Sequence, residues 1–234
     1  KDWFKDLSTE ALDSFGYATE NTTVAYLVYS LSAVVKEEED VALLKRVALN
    51  LYGMREALDT YCLALLALAL DNLKETEKVA ELNTVLAGRM REEGWFEGGK
   101  DTITHSGKLG VAVETTALCG LSLLREKAKY AEAIQRVQWF LIRNNHDGFF
   151  ATTQGTVLSL QFLVLSRSAE DADHPRLTYH LDGVETTVLP SVISSGTPHS
   201  EFLTVGQHAF AVSSTTPRRA TELVELVVDT AVFE

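Results

Sequence analysis

Positive charge is scarce in this chain. Its 21 Lys and Arg stand against 33 Asp and Glu, a formal net charge of −12 with a pI near 5.0. A nucleic-acid-binding domain carries the opposite sign, clustered on one face, so nucleic acid is excluded as the default partner and an anionic membrane surface with it. Long apolar runs are also lacking. The longest covers residues 61–70, ten residues, where a membrane-spanning helix needs roughly 20. No basic segment leads into an apolar one at the start, so no signal peptide is expected. The first residue is Lys1 rather than Met, as in a processed or excised piece of a longer protein. Only 4 prolines are present, which argues against a linker-rich chain. Cysteine is limited to Cys62 and Cys119, neither in a Cys-x-x-Cys pair and both inside apolar stretches. Buried free thiols are expected, and they leave the redox compartment open.

What is present is apolar and repetitive. Hydrophobic residues make up 46% of the 234, a globular composition for one large domain or slightly more. Four segments align without gaps at residues 23–31, 60–68, 115–123 and 152–160. Each opens with Thr (Thr23, Thr60, Thr115, Thr152) and ends in a small residue followed by Leu: Ser30-Leu31, Ala67-Leu68, Ser122-Leu123, Ser159-Leu160. The offsets of 37, 55 and 37 place an 18-residue insertion in the middle unit, within residues 92–113, where a long ordered loop or a short hairpin is expected.

Each segment is apolar on nearly all sides, the mark of a helix buried all round. Leu68, Leu123 and Leu160 are expected to face the core. Amphipathic stretches alternate with these segments at 41–52, 74–91 and 129–145; in the last, Ala133, Val137, Phe140 and Leu141 recur at helical spacing. Buried inner helices alternating with half-exposed outer ones describe an α/α toroid. Gly53, Gly94 to Gly99 and Asp147-Gly148 fall where the outer helices should stop.

Past residue 168 the texture changes. Residues 176–189 carry Asp182-Gly183, a hairpin turn signal, between β-branched runs. Residues 202–212 alternate in the same way, and 222–233 reads as helix or strand, with its Val and Thr content favouring strand. The expected organisation is a mostly α chain: a toroid over 1–170, apparently incomplete, then a small β-rich module over 171–234.

Few residues offer chemistry. The six histidines form no metal-binding spacing, Gly98-Gly99-Lys100 is followed by Asp101-Thr102 rather than completing a phosphate loop, and Gly-x-Ser-x-Gly is absent. No catalytic residue, cofactor or metal is expected. The acidic run 37–40 reads as a solvated loop with Asp40 capping the next helix. Asn21-Thr22-Thr23 also fits the N-glycosylation pattern, a match that recurs often by chance. One constellation remains. Asn21-Thr22-Thr23, Asp59-Thr60, Glu114-Thr115-Thr116 and Thr152-Thr153-Gln154 sit at the starts of the four inner segments. If those helices stand side by side in one sense, the groups converge on one rim. Helix capping explains them, and a protein-contact surface made of Asp59, Thr60, Glu114, Thr115, Thr153 and Gln154 is compatible with capping.

Three motifs in order carry a resemblance. Val113-Glu114-Thr115-Thr116-Ala117, then Val137-Gln138-Trp139-Phe140-Leu141, then Asp147-Gly148-Phe149-Phe150-Ala151-Thr152-Thr153-Gln154-Gly155-Thr156 resemble the thioester-domain region of the α2-macroglobulin and complement family. There the texture is Val-Glu-x-Thr-Ala, a Trp-Leu outer helix, and Gly-Gly-Phe/Tyr-Gly-Ser-Thr-Gln-x-Thr. Residues 101–107 resemble bacterial members, and the likeness covers about 20–167. It implies an α/α toroid joined to a β-rich module, with the first part of the ring missing here. The family's reactive Cys-Gly-Glu-Gln does not occur: Cys62 is followed by Leu63-Ala64-Leu65 and Cys119 by Gly120-Leu121-Ser122. Phe149-Phe150-Ala151 stands where the family has small glycines.

The resemblance implies a non-enzymatic part of a secreted, extracellular or periplasmic protein, with a role in protease trapping, protease inhibition or surface defence. The partners it implies are other domains of a longer parent chain, and proteases or surface proteins. The alternatives are an enzyme on the same architecture, such as a terpenoid cyclase, a prenyltransferase-like protein or a polysaccharide-active enzyme, or a toroid that only binds proteins.

Overall fold

The computed structural model describes residues 20–100, 102–166, 177–188 and 209–214. The chain divides into two compact units, Lys1–Ser166 and Arg167–Glu234. The described part of the first holds seven α-helices: α1 (Glu20–Ser32), α2 (Glu38–Gly53), α3 (Thr60–Asn72), α4 (Thr76–Gly88), α5 (Lys108–Leu123), α6 (Ala131–Arg143) and α7 (Thr153–Ser166). The odd-numbered helices pack side by side in chain order, α1 on α3, α3 on α5 and α5 on α7, and the even-numbered ones cover them from outside.

Sequence explains the division. Every residue of α3 from Thr60 to Leu70 is buried, as an all-apolar helix must be. The outer α6 buries only Ile134, Val137 and Leu141 and turns its charges to solvent. Small residues set the close approaches. A Cβ on Gly120 of α5 would lie 2.6 Å from the Phe162 ring of α7, so glycine is what lets that ring lie flat against its neighbour.

Side-chain ties at both ends fix the inner helices in one sense. Where they begin, Thr22 of α1 meets the Cys62 sulfur of α3 at 3.6 Å. Where they end, Asn72 donates to Ser32 at 3.0 Å, Arg125 pairs with Asp71 at 3.0 Å, and Lys127 donates to the Ser166 carbonyl at 2.5 Å. Asn83 of α4, fully buried, donates to Glu126 at 3.2 Å and accepts from Ser122 at 2.6 Å.

Three expectations need correction. Leu68 and Leu123 are buried, but Leu160 is 47% exposed, because α7 has an inner neighbour on one side only. Helix α5 starts at Lys108, so Glu114 and Thr115 lie well inside it rather than at its start. Nothing in Lys108-Leu109-Gly110-Val111 stops a helix, and the segment was long enough to continue one. Asp40 falls in the first turn of α2, where the N-cap is Glu37 and makes no side-chain cap bond.

In the second unit, β1 (Leu177–Leu181) lies between β2 (Val184–Val188) and β3 (Phe210–Ser214), antiparallel to both. Asp182 and Gly183 take φ of 53° and 83°, the left-handed pair a two-residue hairpin turn requires. The Asp182 carboxylate accepts from the Ala209 amide at 2.9 Å and so also fixes the entry to β3. The reading of 222–233 lies outside the described residues, as does most of 202–212. Among the described residues no helix is long and apolar enough to cross a membrane.

Candidate functional site

The rim where the inner helices begin gathers most of the polar residues singled out above. Asp59 takes extended backbone angles and caps α3, its Oδ1 accepting from the Cys62 amide at 2.8 Å. A carboxylate here also suits the positive end of the helix dipole. Thr60 follows it, nearly buried, and its hydroxyl meets Arg89 Nη1 at 3.5 Å while the same nitrogen donates to the Leu58 carbonyl at 3.2 Å. Asp59, Thr60, Arg89, Arg91, Glu97 and Gly98 line an open cleft of about 390 Å³. Arg91 and Glu97 pair across its mouth. The cleft thus presents both signs of charge.

Thr152 caps α7, its hydroxyl oxygen accepting from the Gly155 amide at 2.8 Å. The same hydroxyl donates to Glu114 Oε1 at 2.8 Å, tying α7 to α5. Glu114 and Thr22 occupy matching places, each one residue before the Thr that opens its repeat, and each reaches towards the start of the next inner helix.

Glu114 is fully buried and accepts only from neutral hydroxyls. Besides Thr152, Ser106 donates to Oε1 at 2.5 Å and Thr104 reaches both oxygens at 3.1 and 3.2 Å. Thr102, Thr104 and Ser106 alternate along residues 102–106, with hydroxyl contacts of 3.0 and 2.8 Å between successive members. Three hydroxyls spaced by two were visible in the sequence as one side of an extended segment; the missing clue was the carboxylate they serve.

Nearby residues complete the covering. The Phe96 amide donates to Thr116 Oγ1 at 3.0 Å. Thr115 is buried and its Oγ1 has no partner; a Cβ on Gly98 would come within 2.5 Å of it. A Cβ on Gly99 would sit 1.8 Å from Asp59 Oδ2, so the chain crosses Asp59 more closely than any side chain allows. Thr153 and Gln154 lie apart from this cluster in contact with solvent, Thr153 exposed and Gln154 half-buried. The rim residues are therefore of three kinds: Asp59 and Thr60 in a cleft, Glu114 and Thr115 covered, Thr153 and Gln154 open. Capping describes Asp59 and Thr152 and does not describe Glu114 or Thr115.

Both cysteines are free and buried. Burial pushes the Cys62 thiol up to about 12, helped by the nearby Asp59 carboxylate, and pushes Cys119 well above its ordinary value. Such thiols are poor nucleophiles. Among the described residues no group of three or more His, Cys, Asp or Glu side chains is placed to hold a metal ion.

Inner helices laid side by side in one sense and backed by outer helices make the first unit part of an α/α toroid. The chain belongs to the A-macroglobulin TED domain family, whose model matches residues 16–165. No curated protein matches it.

Proposed function

We propose that this chain is the later part of a thioester-type domain in an α2-macroglobulin-like protein, and that it acts by contact with other proteins rather than by catalysis. The family match over residues 16–165 carries the reading. The setting it fits is outside the cytoplasm, extracellular or periplasmic, in protease trapping or surface defence. The residues support a non-covalent part in that work. Neither cysteine has a Gln three positions on, and both thiols are buried with raised pKa values.

The first partners are other portions of a longer parent chain. Val157, Leu160, Val164 and Leu165 lie exposed on α7, in the place where α3 and α5 each have a further inner helix. Preceding hairpins of the same ring are the occupant this stripe fits. For a second protein the cleft at Asp59 and Thr60 is the contact face, with Thr153 and Gln154 at its edge. The test uses the longer protein that carries this domain. Incubated with an endoprotease, it should form a complex that survives gel filtration and blocks cleavage of a protein substrate. No complex with endoproteases of the serine, cysteine, metallo and aspartic classes would sink the trapping role.

A further inference from the structure

We propose that residues 102–106 form a strap over the rim that opens as a unit of its own, with the Glu114 carboxylate as its latch. The strap is held to the helices beneath largely by side chains. Thr104 and Ser106 give their hydroxyl protons to Glu114, and Ile103 places its backbone beside the Tyr61 hydroxyl. Within the strap, the His105 amide donates to the Thr102 carbonyl at 3.1 Å and the Ser106 amide reaches Thr102 Oγ1 at 3.4 Å. His105 itself takes a φ of 51°, in the left-handed region that non-glycine residues enter at a cost.

Two further costs attach to the closed position. Glu114 is a fully buried carboxylate whose hydrogen-bond donors are neutral hydroxyls, and a buried charge without an opposite one is expensive. Thr115 Oγ1 is buried with no partner, close under Gly98, and an unpaired buried hydroxyl forfeits its water. Opening the strap brings water to both groups. The helices lose little by it, since the cores of α3 and α5 are packed against each other and against α4. Closed and open forms thus differ by a few side-chain bonds set against relieved burial, the balance that makes local opening separable from global unfolding.

Hydrogen exchange of the full chain, read by mass spectrometry, tests this. Peptides spanning 96–106 should exchange faster than those of α3 and α5. Glu114→Gln should speed exchange of the strap by about tenfold or more and leave α3 unchanged. Gly99→Ala keeps the latch and crowds Asp59, and it should act with the same selectivity. Unchanged exchange in the strap of Glu114→Gln overturns the proposal, and so does a rise of equal ratio in strap and α3. Should that variant fail to fold, Thr104→Val with Ser106→Ala removes the latch from the strap's side and is judged by the same outcomes.

Discussion

Helices α3 and α7 are written in the same language and live in different surroundings. Both open on a capped start, both carry the Thr-to-Leu repeat, and both are apolar on nearly every side. In α3 the burial is continuous from Thr60 to Leu70, because α1 and α5 flank it and α4 backs it. In α7 only Gly155, Leu158, Ser159, Phe162 and Ser166 are buried, while Val164 on the other face is 68% exposed. Composition sets what a helix can bury; the number of neighbours sets what it does bury. The repeat identifies equivalent positions in sequence and leaves their energies unequal.

The sharpest way to break this comparison is to truncate matched leucines. Leu66 in α3 and Leu123 in α5 are fully buried, so Leu66→Ala and Leu123→Ala should each cost about 2–5 kcal/mol in denaturant unfolding. Costs below about 1 kcal/mol at both would mean the inner layer is loosely packed and the contrast with α7 is false.

The thiols of α3 and α5 give the next test. Unfolding returns each to an ordinary pKa, so the unfolded chain releases its proton at lower pH than the folded one. The folded state is therefore favoured below about 9 and loses stability as the pH climbs from there towards 12. Both thiols should react slowly with a thiol reagent in the native protein and quickly in denaturant. Methylamine should leave the intact mass unchanged. Fast labelling of native Cys62 would show that α3 is not covered as described.

How much of this was legible follows from which forces act locally. The inner and outer helices were readable because burial leaves a periodic trace in the side chains. The hairpin was readable because Asp182-Gly183 has a backbone preference of its own. The start of α5 was not, since the 18-residue insertion hid where loop gave way to helix. Glu114 was chosen for its place before a conserved-looking Thr spacing, and its true role depends on Ser106 and Thr104, eight and ten residues away along a loop. The exposure of Leu160 was out of reach for a different reason. It depends on a neighbour that α7 lacks, and no residue within α7 records that.

The two caps sharpen the comparison at smaller scale. Asp59→Ala removes one cap bond from α3 and should cost about 0.5–2 kcal/mol. Thr152→Ala removes the cap of α7 together with one donor to Glu114, so it should cost more than Asp59→Ala within the same range. The reverse order, measured by thermal or denaturant unfolding, would mean that Glu114 does not couple α7 to α5.

The smallest effect is expected where the sequence promised the largest. Leu160 aligns with Leu68 and Leu123, which are 5% and 0% exposed, yet it stands 47% exposed itself. Truncating a side chain already in water removes little burial and opens no cavity, so Leu160→Ala should change stability by no more than about 0.5 kcal/mol. Its consequence should lie in solubility. Val157, Leu160 and Val164 follow the i, i+3, i+7 spacing of one helix face, and no charged residue occurs anywhere in α7 to oppose association. Leu160→Ser with Val164→Ser should therefore lower concentration-dependent self-association in sedimentation while the unfolding midpoint stays put. A drop in stability as large as that of Leu123→Ala would place Leu160 in a packed core and restore the equivalence of the four repeats, and with it the difference between α3 and α7 would vanish.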